Sequence, residues 1–164
     1  MDHPLSPAES AAKFSHVDEY GRLRMVDVST KEVTVREAKA AGKITLNAEA
    51  LRLIESNQIA KGNVLATARL AGIQAAKQTS ALIPLCHQLQ LQHVEVELVQ
   101  VTDGLEITGA VRSIGRTGAE MEALTAVSMA ALTIYDMCKA VDKAMVIGEV
   151  RLLSKTKRSA DCAD

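Results

Sequence analysis

Aromatic side chains are almost absent: one Phe, two Tyr and no Trp in 164 residues. Modules that hold single-stranded nucleic acid stack bases on aromatic rings, so Phe14, Tyr20 and Tyr135 leave that class without a platform. An excess of positive charge is absent too. With 19 Lys and Arg against 20 Asp and Glu the net charge is −1, which removes the electrostatic footprint of a non-specific polyanion binder. Cys86, Cys138 and Cys162 show no CxxC spacing and no disulfide framework, as expected in a reducing compartment. Charge or polarity breaks every apolar run before it could span a bilayer, and the opening MDHPLSPAESAAK has no signal-peptide core. The expectation is a cytoplasmic protein with no membrane or nucleic-acid partner.

What the chain has instead is one long helical segment, TGAEMEALTAVSMAALTIYDMCKAVD, over 117–142. Its middle is small or apolar on most sides, which predicts burial on most sides. The acids at its start and the Asp–Lys pair near its end are then expensive unless paired or used.

Residues 1–13, rich in Ala, Ser and Pro, read as a disordered lead-in. From Ser154 the polar SKTKRSADCAD reads as an unstructured end, flexible over 156–164, which leaves a single domain over 14–155. Within it, 33–44 holds one or two short strand-like pieces. Asn47 predicts a helix N-cap with Ala50, Leu51 and Ile54 on one face. Asn63 predicts a second cap, for a helix running to the break before Pro84. HVEVELVQV (93–101) alternates as a half-buried strand, Thr102-Asp103-Gly104 is turn chemistry, and 105–114 returns as a hairpin arm. Thr117 and Glu120 fit a capping box opening the long helix, and 145–153 is a last strand. The order β, α, β, β, α, β predicts an α+β, ferredoxin-like domain, an antiparallel sheet with helices packed on one face.

Several residues could carry chemistry. Lys61, just before a helix, opposes the helix dipole; it is either a solvated loop lysine or a phosphate-binding or proton-donating one. Its spacing is not a Walker A loop. Cys86-His87 lacks a second ligand pair at zinc spacing, so no metal site is expected, and a structural histidine is the plainer alternative. Glu120 is accounted for by the capping box. Glu122, about 160° away around the helix, is not. Asp136 and Lys139 are i, i+3 neighbours that form either a plain ion pair or a buried acid/base couple.

Taken together, RMVDVS (24–29), KGNVLATARLAGIQAAK (61–77), LIPLCH (82–87), the long helix through Lys143, and MVIGEVRLL (145–153) closely resemble the cyclic pyranopterin monophosphate synthase family of molybdenum cofactor biosynthesis. The resemblance runs from about Phe14 to Lys155. It implies a lyase that converts a cyclic dihydro-GTP to cyclic pyranopterin monophosphate and releases diphosphate. It implies a homohexamer, a trimer of dimers with sites at the dimer interface. Carried onto matching positions, it makes Asp136, Lys139 and Lys61 catalytic. Leu85, Cys86, His87, Met121 and Glu122 fall on substrate-binding segments, with Glu120 and Arg36 as further positions. No cofactor is implied by the sequence; a Mg2+ ion riding on the substrate's triphosphate is compatible with it. Asn63, Gln88, Ala119 and the SKTKRS tail depart from the family's usual residues, and whether Lys155 takes part is left open.

The reaction involves several proton transfers and an anionic leaving group, which paired lysines and a carboxylate can serve. A lysine partly buried among cations would have its pKa lowered and become a usable acid. Two other classes fit less well. A nucleic-acid-binding ferredoxin-like module would need strand aromatics, and a purely structural oligomer would leave Lys61 and Asp136 without a purpose. Glu122 and Asp136, 14 residues apart, lie roughly 21 Å apart along one straight helix. One bound nucleotide does not bridge that span, so the site is expected to draw on two subunits.

Overall fold

The computed structural model describes residues 20–159. The lead-in assigned to 1–13 lies outside them, as do residues 160–164 of the expected tail. Four strands, β1 (Thr34–Thr45), β2 (Gln90–Val101), β3 (Gly104–Gly115) and β4 (Val146–Ser159), form one antiparallel sheet in the order β2-β3-β1-β4. Helices α1 (Ala48–Glu55), α2 (Val64–Lys77), the single turn α3 (Thr79–Leu82) and α4 (Glu120–Cys138) connect them. Helices α2 and α4 pack together on one face of the sheet, which is the ferredoxin-like arrangement the order of elements implies.

Local chemistry explains most boundaries. Asn47 and Asn63 both act as N-caps, their side-chain oxygens accepting from Ala50 N and Ala66 N at 2.8 Å. The stretch expected as one helix to Pro84 breaks at Gln78, which caps both α2 and α3. The short strand-like pieces at 33–44 are one continuous twelve-residue strand. Small residues let the layers approach closely. A Cβ on Gly72 of α2 would stand 2.8 Å from the Ala126 carbonyl oxygen, and one on Gly109 of β3 would stand 3.0 Å from that of Ala123. Against these flat surfaces α4 turns Ala123, Ala126, Val127, Ala130, Ala131 and Ile134, all fully buried.

Three expectations are corrected. The Thr117–Glu120 capping box does not form: α4 starts at Glu120, its N-cap is Ala119, and no side chain bonds the cap. Glu120 therefore sits at the first helical position, too early to reach back to an N-cap amide, and pairs with Lys155 instead at 3.0 Å. The helix also ends at Cys138, four residues short of Asp142, whose N–H closes a tight turn on Cys138 O at 3.0 Å. Finally, β4 does not stop at Leu153. It pairs with β1 as far as Thr34↔Ser159, so 156–159 is an edge strand rather than a flexible tail. Its side chains are exposed, and backbone hydrogen bonds hold it.

Candidate active site

The residues singled out in the sequence collect at the two ends of α4. At its C-terminal end, Lys61 and Lys139 grip Asp136 from both sides. Lys61 Nζ donates to Asp136 Oδ2 at 2.6 Å and to its backbone carbonyl at 2.9 Å; Lys139 Nζ lies 2.8 Å from Oδ1. Lys61 comes from the loop between α1 and α2, where Gly62 adopts a left-handed φ of 98° and its N–H bonds Ile59 O at 2.9 Å. Glycine takes that backbone without strain, and the turn carries Lys61 towards α4. Hydrogen bonds from the ammonium groups of Lys139 and Lys61 hold the Asp136 carboxyl down to about 2, and the hydrogen bond to Asp136, then the Asp136 charge, raises the Lys139 pKa. The Asp136 side chain is 57% exposed, so of the two alternatives the ion pair forms, extended by Lys61 to an exposed triad, and the couple is not buried. The expected lowering of a lysine pKa is likewise reversed at Lys139, because the nearest charge is a carboxylate and not a cation.

At the N-terminal end of α4 the chain encloses a cavity of about 590 Å³. The turn after α3 supplies Leu85, Cys86 and His87; α4 supplies Glu120, Met121 and Glu122; Lys155 reaches in from β4. Glu120 and Glu122 share this cavity despite their angular separation, because the Glu120 side chain folds back over Gly118 and the cavity wraps the helix start end-on. Their environments differ. Glu122 is only 4% exposed, and burial, with the nearby Glu120 charge, pushes its carboxyl up to about 7, against the pull of its own backbone N–H. Burial also acts on Glu120, but its own backbone N–H and Lys155 outweigh it and leave its pKa below the ordinary value. Two carboxyls on one wall thus have opposite protonation preferences, the pattern by which sites separate acid from base.

Burial, helped by the Glu122 charge, raises the Cys86 thiol, which disfavours the thiolate a nucleophile needs. Among the described residues no cluster of His, Cys, Asp or Glu could hold a metal ion. Arg36, on the helix-facing side of β1, lines an adjoining groove with Glu120 and Lys155; its Nε is buried without a partner. Lys155, whose part the sequence left open, lines the cavity. The alternation of Lys155 and Lys157 with Ser and Thr was the available sign that the strand continues past Leu153.

The described residues therefore build two polar clusters, one with a carboxylate between two lysines and one with paired carboxyls, a histidine and a lysine. The chain matches the MoaC family over residues 25–158. It belongs to that family. It is 58% identical to a protein of Desulfitobacterium hafniense named cyclic pyranopterin monophosphate synthase, over 88% of this chain and 89% of that one. Proteins of the same name from Chloroflexus aurantiacus and a Roseiflexus species are 54% and 55% identical, over 90% of this chain and 92% and 95% of theirs. The MoaC match takes in both clusters, including Lys155. No helix among the described residues is long and apolar enough to cross a membrane.

Proposed function

We propose that this chain is a cyclic pyranopterin monophosphate synthase of molybdenum cofactor biosynthesis, a lyase that turns a cyclic dihydro-GTP into cyclic pyranopterin monophosphate plus diphosphate. The observation that carries the reading is the pair of half-sites at opposite ends of α4 in a chain more than half identical to proteins of that name. Lys61 and Lys139 neutralise phosphate charge and hold the leaving diphosphate, and Asp136 orients them and accepts a proton once phosphate draws the lysines away. In the cavity Glu122, poised near neutrality, exchanges protons with the rearranging ring. Leu85, Cys86 and Met121 form its walls, and Arg36 and Lys155 add positive charge. These residues would act without a protein-bound cofactor, and a Mg2+ ion could accompany the substrate's triphosphate.

We place the working site at a twofold interface, in a cytoplasmic homohexamer built as a trimer of dimers. Along α4, Met121, Leu132, Asp136 and Lys139 lie on an exposed outer stripe. Exposed Met121 and Leu132 there suit a second helix rather than water. Antiparallel pairing sets the start of one helix beside the end of the other, and a twofold axis repeats the contact.

Complementation tests this directly. Glu122→Ala and Asp136→Ala subunits are each expected to be inactive with cyclic dihydro-GTP. Mixed under conditions where subunit exchange is confirmed, they should regain up to about a quarter of wild-type activity per site, because half the dimers are mixed and each mixed dimer has one intact site. Exchange without any recovery of product overturns the shared site; wild-type protein that makes no product overturns the synthase assignment.

A further inference from the structure

The cavity at the start of α4 is closed on one side by a segment with neither helix nor strand. Residues 24–31 run past it with Val26 and Val28 half-buried while Met25, Asp27 and Ser29 are exposed, so an extended stretch turns alternate side chains inward. Val26, Val28 and Lys31 line the cavity together with Glu122 and Lys155. A local turn shapes its end: Ser29 N donates to Asp27 Oδ1 at 2.8 Å, and Lys31 N donates to Val28 O at 3.0 Å. Two side chains fasten the segment to the rest of the site. The His87 ring nitrogen Nε2 lies 2.8 Å from Val26 O, and Arg116 donates to Ser29 O.

A carbonyl oxygen only accepts, so His87 Nε2 carries the proton of this bond. That nitrogen is committed to the backbone and is not free to act as a base. Lys31 has no ion-pair partner among the described residues, whereas Lys155 already answers Glu120. We infer that residues 24–31 are a strap latched over the cavity by His87 and Arg116, and that the latch sets Lys31 against an anionic group of the ligand. His87 is thus a positioning residue, and Lys31 is a binding residue carried on the strap. That the anion belongs to a triphosphate rests on the proposed synthase activity; the latch itself does not.

The strap is bracketed by trypsin sites at Arg24 and Lys31, and a segment held by few contacts opens locally at a rate its latch controls. Full-length protein is digested under native conditions and cleavage after Arg24 is followed by mass spectrometry. His87→Leu should accelerate it about fivefold or more, as expected for loss of one hydrogen bond. His87→Gln, whose side-chain amide can still donate to Val26 O, should stay near the wild-type rate. Arg116→Met, with its donors gone from the other end of the strap, should accelerate cleavage even if the His87 variants fold poorly. Inorganic triphosphate at millimolar concentration should slow cleavage of wild type and not of Lys31→Ala. In turnover, Lys31→Ala should raise KM severalfold with little change in kcat, and Lys31→Arg should restore it. Equal cleavage rates in wild type, His87→Leu and Arg116→Met at matched stability overturn the latch. Triphosphate protection that survives Lys31→Ala, or a kcat loss at unchanged KM, overturns the role of Lys31. An absence of turnover in wild type strikes the synthase assignment and leaves the digestion result standing.

Discussion

Replacing Glu122 by Gln should make the protein more stable at neutral and alkaline pH and leave it unchanged in acid. Glu122 is 4% exposed in the cavity wall, and its carboxyl rises from 4.5 to about 7, first because of burial and then because of the nearby Glu120 charge. Below pH 4.5 the group is protonated in folded and unfolded chains alike. Between 4.5 and about 7 the unfolded chain releases a proton that the folded chain keeps, so stability falls as pH rises; above about 7 the loss is complete and the curve flattens. At about 1.4 kcal/mol per pH unit, that gap amounts to about 3 kcal/mol of stability missing at pH 8. Gln is isosteric, neutral at every pH, and escapes this loss. Urea denaturation of both proteins between pH 4.5 and 8.5, at one fixed concentration because assembly adds to apparent stability, gives the difference curve directly. A difference that opens by about 3 kcal/mol across this range supports the assignment of Glu122 as a carboxyl poised near neutrality. Parallel curves, or a Gln variant less stable at pH 8 than at pH 5 relative to wild type, refute it.

Asp136→Asn and Lys139→Ala should each abolish formation of cyclic pyranopterin monophosphate while changing stability by no more than about 0.5 kcal/mol, because both side chains are exposed; normal turnover by either, measured with purified cyclic dihydro-GTP, removes them from the site. Cys86→Ser should keep substantial activity, since the thiol is pushed up by burial and the reaction needs no thiolate; complete loss with an intact circular-dichroism spectrum shows that the sulfur is required.

Much of the fold was legible because its signals are local. Asn47 and Asn63 stand one residue before their helices and cap them, and the alternation in HVEVELVQV marks a sheet with one covered face. What was hidden depends on partners distant in sequence. The Ser154–Ser159 extension has no apolar alternation, because an edge strand held by backbone bonds to β1 has no second layer to cover. Glu120 looks like half of a capping box until Lys155, 35 residues away, is seen to take its carboxylate. The residues of the candidate site were legible by type and by the resemblance, but their separation into two clusters was only partly so. The helical rise gives the separation of Glu122 and Asp136 along α4, whereas their unlike surroundings, one buried and one exposed, come from packing. The seeming conflict of acids in an apolar helix dissolves on the same ground: Asp136 lies on the outward stripe and was never in the core.

The twofold pairing proposed for the site fixes where its axis must pass. If Glu122 of one α4 faces Asp136 of the other, and the reverse holds by symmetry, the helices cross at the residue midway between them, Met129. Met129 is half-buried in the single chain, with exposed Leu132 one turn further along the outer side of α4. A flexible thioether suits a self-contact, since two identical side chains must share one space across the axis. Met129→Glu would bring two carboxylates together there in a desolvated contact, and like charges so placed cost several kcal/mol. Because Met129 lies about 10 Å along the helix from each half-site, the substitution need not touch either set of catalytic groups. Light scattering should therefore show a fall in oligomer mass, and activity should fall with it as the half-sites part. Met129→Leu, of similar volume and uncharged, should retain both mass and activity. A Met129→Glu protein that keeps the wild-type mass and turnover would place the axis elsewhere, and Glu122 of one chain would then no longer face Asp136 of the other across α4.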